Sequence, residues 1–129
     1  MTSSTPAPSF DELAGRLAAF AAERDWDQFH APKNLAMALA GEVGELLEHF
    51  QWLTEEQSRD LAPEQREAVA LEMADVLLYL VRLADKLQVD LVAAAHRKIH
   101  LNAGKYPIEE FKGSRRKYDQ ARGKSRDGG

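Results

Sequence analysis

Two acidic pairs share one spacing: Glu42 with Glu45, and Glu72 with Asp75. Two residues separate the members of each pair, and 26 residues lie between the pairs. On a helix, an i, i+3 spacing brings two side chains to one side within a single turn. Carboxylate oxygens grouped in this way suit a hard divalent cation, Mg²⁺ or Mn²⁺. A second set, Lys98, Asn102 and Lys105, is spaced i, i+4, i+7 and would share one helical stripe. Two ammonium groups and an amide make a phosphate grip. A metal-binding carboxylate cluster combined with such a stripe is what a polyphosphate substrate requires.

These residues need helices to position them, and the sequence offers four helices and no convincing strand. Residues 1–8 are rich in Pro, Ser and Thr and are expected to be a flexible N-terminus. Ser9 or Asp11 can cap a first helix running to about residue 24, with Phe10, Leu13, Leu17 and Phe20 at helical spacing. Residues 25–31 read as an aromatic loop. Pro32 opens a second helix running to about Trp52, and residues 54–62 form a polar connector. Pro63 opens a third helix, to about Gln88. Asp90 caps a fourth that ends near Gly104, because Pro107 prevents its continuation. Connections this short predict an all-α antiparallel four-helix bundle. The expected helical domain spans 9–111, followed by a basic, flexible tail over 112–129.

Helical phase grades the acids. With about 100° per residue and Leu35 at zero, Glu42 falls near −20°, Glu45 near −80° and Glu48 near −140°. Leu35, Leu39, Val43, Leu46 and Phe50 form the core stripe, so Glu42 lies inside it, Glu45 at its edge and Glu48 away from it. In the third helix, with Val69 at zero, Glu72 falls near −60°, Tyr79 near −80° and Asp75 near −120°. Met73, Val76, Leu80, Leu83 and Leu87 accompany Val69, while Leu71, Leu78 and Val81 lie opposite. A helix that is apolar on nearly two faces needs a second partner surface. Converging carboxylates repel one another and hold their protons unless a cation is present. Arg82, the nearest basic residue, is expected to face outward. The mid-helix glycines Gly41 and Gly44 cost about 1 kcal/mol each against alanine, so a ligand or another helix should approach there.

The whole chain carries a net charge of −4, unevenly spread. Residues 112–129 hold seven Lys/Arg and two Asp, leaving 10 basic and 19 acidic groups on the rest. An acidic body argues against stable nucleic-acid binding and for gathering cations. The absence of cysteine excludes disulfides and thiolate metal sites. No apolar run approaches the roughly 20 residues of a membrane span, and residues 1–10 lack a secretory pattern. The chain reads as soluble and cytoplasmic, with no membrane partner.

The ordered set of motifs resembles the all-α nucleoside triphosphate pyrophosphatases of the MazG-like superfamily, with the dCTP pyrophosphatase branch nearest. It comprises Trp26-Asp27-Gln28-Phe29-His30, Pro32-Lys33-Asn34-Leu35, Gly41-Glu42-Val43-Gly44-Glu45-Leu46, Phe50-Gln51-Trp52, Glu72-x-x-Asp75-Val76-Leu77-x-Tyr79-Leu80 and Asn102-x-x-Lys105-Tyr106-Pro107. Gly113-Ser114-x-x-Lys117-Tyr118 adds to it. The resemblance implies hydrolysis of (deoxy)nucleoside triphosphates, dCTP or a modified dCTP, to monophosphate and pyrophosphate. It implies that Glu42, Glu45, Glu72 and Asp75 hold Mg²⁺, and that Lys98, Asn102 and Lys105 bind phosphates. His30, Asn34, Trp52 and Tyr79, with Trp26 and Phe29, would form the base and sugar pocket. It also implies self-association as a homodimer or homotetramer. Glu45 is the expected catalytic group, orienting or deprotonating water, and Lys117 and Tyr118 could reach a neighbouring subunit's site.

Alternatives remain open: dUTP or phosphoribosyl-ATP as substrate, or a non-catalytic helical adaptor that uses the apolar third helix. A di-iron carboxylate bundle requires Glu-x-x-His pairs, and no Glu here has a His three residues on.

Overall fold

Ser9 begins the first helix by accepting a hydrogen bond from the Glu12 amide (3.1 Å), satisfying one of the orphan donors of the first turn. From there a computed structural model describes residues 9–113. The elements are α1 (Phe10–Glu23), a 3₁₀ turn (Asp27–Phe29), α2 (Pro32–Glu48), α3 (Glu55–Arg59), α4 (Pro63–Lys86), α5 (Leu91–Lys105) and α6 (Ile108–Phe111). The chain is all-α, with no strand among the described residues. The expected flexible N-terminus and most of the basic tail, with Lys117 and Tyr118, lie outside the described residues.

Four long helices occupy the expected places, and the differences lie at ends and connectors. α2 stops at Glu48 rather than near Trp52, and residues 49–53 turn through short-range bonds such as Phe50 N–H to Leu47 C=O (2.9 Å). The polar connector contains a helix of its own. Thr54 accepts from the Gln57 amide, and the Gln57 side chain accepts from the Thr54 amide, a reciprocal capping box. Two helix ends close through left-handed residues, Asp25 (φ 58°) and Gln88 (φ 56°). In each, the following amide reaches back five residues, Trp26 to Ala21 C=O and Val89 to Ala84 C=O (both 2.9 Å), which satisfies the terminal carbonyls.

The chain forms two compact units, Met1–Asp90 and Leu91–Gly129. In the first, α4 packs against α2 along one face and α1 along another. The second apolar face of α4 is therefore partly covered within the chain: Val81 is buried, while Leu71 remains 61% exposed. α2 and α4 run antiparallel, because His30 before α2 meets Arg82 late in α4, whereas Glu42 later in α2 meets Glu72 earlier in α4. The buried apolar core is small: Ala21, Leu35, Val69, Val81 and Ala84. The second unit holds α5 and α6, with Tyr106 edge-on to Phe111 at 4.9 Å between ring centroids.

Candidate active site

The antiparallel pairing of α2 and α4 brings the two acidic motifs together. Glu42, Glu45 and Glu72 each offer a carboxylate oxygen within 4.8 Å of the others. Glu42 and Glu72 are half-buried and Glu45 is exposed, the gradation that helical phase anticipates. Asp75 is exposed and outside this close group, yet its charge still acts on Glu42. Glu48 is exposed and takes no part.

Glu42 Oε2 and Glu72 Oε2 are shielded from solvent and have no hydrogen-bond partner among the described residues. A desolvated carboxylate facing other carboxylates holds its proton tightly. Glu42 is accordingly pushed up to about 7, first by desolvation, then by hydrogen bonding to Glu45 and by the charges of Glu45, Asp75 and Glu72. Orphaned, partly desolvated oxygens on an all-oxygen donor set are what a hard divalent cation requires, so these residues fit one. Gly41 and Gly44 flank the cluster, and a Cβ built on either meets no described atom within 4 Å. Packing within the chain does not demand these glycines.

A second charged constellation lies later on α4, centred on Arg82, and it differs from the sequence expectation. Arg82 does not face outward: it is only 6% exposed. Its Nη2 donates to Asp27 Oδ1, its Nη1 to Asp85 Oδ2 (3.1 Å) and its Nε to His30 Nδ1 (3.2 Å). Lys86 Nζ also donates to Asp27. Helical phase relative to the α2-facing stripe alone puts Arg82 outward, whereas α1 also packs on α4 and Asp27 and His30 of the turn after it bond to Arg82. The usable signal was the doubly apolar helix itself, since a cation between two covered faces needs anionic partners. Asp27 is held below the usual carboxylate range, chiefly by its hydrogen bond to Lys86. His30 is lowered by desolvation and then by the Arg82 charge.

Arg82 thus pins the turn that carries three of the expected pocket residues. Trp26 stacks edge-on against Phe20 (5.6 Å), with the Arg24 guanidinium 3.5 Å from the Phe20 ring centre. The Asn34 amide donates to Phe29 C=O (3.1 Å), tying the turn to the start of α2. Phe29 is exposed and His30 half-buried. Trp52, just beyond α2, is 86% exposed, far more than a core aromatic would be. Tyr79 is half-buried on α4, one turn after Asp75. In the second unit, Lys98, Asn102 and Lys105 share a stripe of α5, with Lys98 and Lys105 exposed and Asn102 half-buried. No helix among the described residues is long and apolar enough to cross a membrane.

Comparison with known proteins places this architecture. The sequence profile of the MazG-like family matches residues 38–120. Homo sapiens dCTP pyrophosphatase 1 is 45% identical over 118 residues, spanning 90% of this chain and 69% of the relative. The Bos taurus dCTP pyrophosphatase 1 is 46% identical over 113 residues, spanning 86% of this chain and 67% of the relative. The crystal structure of a pyrophosphatase from Archaeoglobus fulgidus superposes with a TM-score of 0.73 at 36% identity, covering 82% of this chain and 99% of that one.

Proposed function

This chain belongs to the MazG-like family, and we propose that it hydrolyses dCTP, or a dCTP carrying a modified base, to the monophosphate and pyrophosphate, clearing the cytoplasmic nucleotide pool. The observation that carries the reading is the convergence of Glu42, Glu45 and Glu72, with Glu42 Oε2 and Glu72 Oε2 shielded and without a hydrogen-bond partner among the described residues. Likeness to the dCTP pyrophosphatases supports the choice of nucleotide. Glu42, Glu45, Glu72 and Asp75 would hold Mg²⁺, which when bound neutralises the triphosphate and polarises its P–O bonds. Mn²⁺ has the same preference for oxygen donors.

Glu45 is the exposed member of the close group it forms with Glu42 and Glu72, and suits the catalytic role. Its carboxylate orients a water in line with the α-phosphorus and takes its proton. The new bond joins the water oxygen to the α-phosphorus, and the bond to the oxygen bridging the α- and β-phosphates breaks. Pyrophosphate leaves. Lys98, Asn102 and Lys105 take the remaining phosphate charge. His30, Asn34, Trp52 and Tyr79, with Trp26 and Phe29, bind the base and sugar, aromatic faces being suited to stacking on a base.

Self-association as a homodimer or homotetramer accompanies this reading. The subunit core is small, and Met37 (64% exposed), Leu47, Leu71 and Met73 leave apolar surface open on α2 and α4. Exposed apolar surface of this kind marks association. A nucleotide panel with and without Mg²⁺, with products identified, tests the reading. Monophosphate plus pyrophosphate from dCTP is expected. Release of orthophosphate one group at a time, or no Mg²⁺-dependent turnover, would overturn it, and the latter outcome favours a helical adaptor.

A further inference from the structure

Arg82 is a buried cation that the proposed chemistry leaves without a task. Its side chain spends three N–H directions on three partners: Asp27, Asp85 and His30. A guanidinium donates hydrogen bonds and never accepts them. Its 3.2 Å contact with His30 therefore requires Nδ1 to be the acceptor, which leaves the imidazole proton on Nε2. The charges facing the ring are Arg82 and Lys86 from α4 and Asp27 from its own turn. Desolvation and the Arg82 charge both disfavour a second proton, and Asp27 opposes them only in part.

We propose that Arg82 is a positioning residue for the nucleoside pocket, fixing His30 as the Nε2–H tautomer and pinning the 26–30 turn to α4 so that the ring presents one N–H donor to an acceptor on the base or sugar. The proposal rests on the nucleotide reading above. Cytosine suits such a donor, because its O2 and N3 are adjacent acceptors, whereas a protonated imidazole would carry two donors and a charge. Lysine at position 82 keeps the cation for Asp27 and Asp85 but cannot reproduce the three-way fork.

The test combines nitrogen-15 NMR of the histidine rings with kinetics on the Mg²⁺-saturated full chain, using dCTP. Wild-type His30 is expected to show a protonated Nε2 and a bare Nδ1 at neutral pH. In Arg82→Lys, and in Arg82→Met should the lysine variant fail to fold, the two nitrogens should average and titrate near the ordinary histidine value of about 6.5. KM should rise about tenfold, the loss of roughly one oriented hydrogen bond, with kcat much less affected. A purely structural arginine would lower the melting temperature and leave the tautomer and KM of the folded fraction unchanged, and that result overturns the proposal. So does a wild-type His30 protonated on Nδ1. If the wild-type chain shows the expected tautomer but hydrolyses no nucleotide, the proposal falls through its premise, a failure the NMR result keeps distinct.

Discussion

Two charged clusters sit about ten residues apart on α4, and they are built on opposite principles. Around Arg82, one buried cation meets Asp27 and Asp85, with Lys86 also on Asp27, and each of these contacts, like that with His30, joins opposite charges or a donor to an acceptor. Around Glu72, carboxylates from α2 and α4 face one another, and two shielded oxygens have no partner among the described residues. The first arrangement is complete in the folded chain. The second, on the proposed reading, is completed by a cation from outside, and without one Glu42 holds its proton up to about 7. A fold stabilises itself with satisfied polar networks and keeps unsatisfied ones where a ligand will complete them.

The comparison can be broken at several points. The largest expected effect is on turnover: Glu45→Gln should lower kcat by about 10²–10⁴-fold, the range for loss of a general base, and leave the melting temperature nearly unchanged. Substitution on the other side should do the reverse. Arg82→Ala should cost about 2–3 kcal/mol of stability, measured by denaturant unfolding. That is less than the about 3–5 kcal/mol of a fully buried broken pair, because Asp27 is exposed and retains Lys86. Gly44→Ala should stabilise the subunit by up to about 1 kcal/mol, since a methyl there meets open space within the chain. If that variant also loses activity or assembly, the space beside the acids serves a ligand or a second subunit.

The clusters should also differ in the sign of their pH dependence. Glu42 binds its proton more tightly folded than unfolded. Its contribution, present below its ordinary value of 4.5, is therefore lost as pH rises towards about 7. Metal-free wild type minus Glu42→Gln should show a stability difference that falls over that window. Asp27 is shifted the other way, so its contribution is present above its ordinary value of 3.8 and lost as pH falls below it. Wild type minus Asp27→Asn, followed by thermal unfolding in acid, should show the opposite slope.

The inward grading of the α2 acids was legible in the sequence because it depends on helical period, whereas the meeting of the two pairs also depends on how α2 packs on α4. Phase against a single apolar stripe puts Glu42 inward, Glu45 at the edge and Glu48 away, and the exposures agree. Arg82 was not legible by the same route, because it is covered by α1 and the 3₁₀ turn, surfaces that phase against one partner does not include. The end of α2 depends on turns at 49–53 that carry no Gly or Pro. By contrast, α3 had a readable signal in Thr54 and Gln57, whose reciprocal bonds form a capping box. Asp25 and Gln88 adopt left-handed backbone without being glycine, so the way these two helices close left little trace in the sequence, although both end within two residues of the expected places.

The claim that the α2–α4 acids await a cation is tested most directly by thermal unfolding of the full chain across a Mg²⁺ titration, for wild type and for Glu42→Gln combined with Glu72→Gln. A cation that binds only the folded state raises its stability in proportion to the logarithm of its concentration once above the dissociation constant. The account predicts a saturable rise in melting temperature for wild type, and a metal-free variant that is more stable than metal-free wild type at pH 8 and insensitive to Mg²⁺. A wild type that ignores both Mg²⁺ and Mn²⁺, or a double variant that still responds to them, would contradict it.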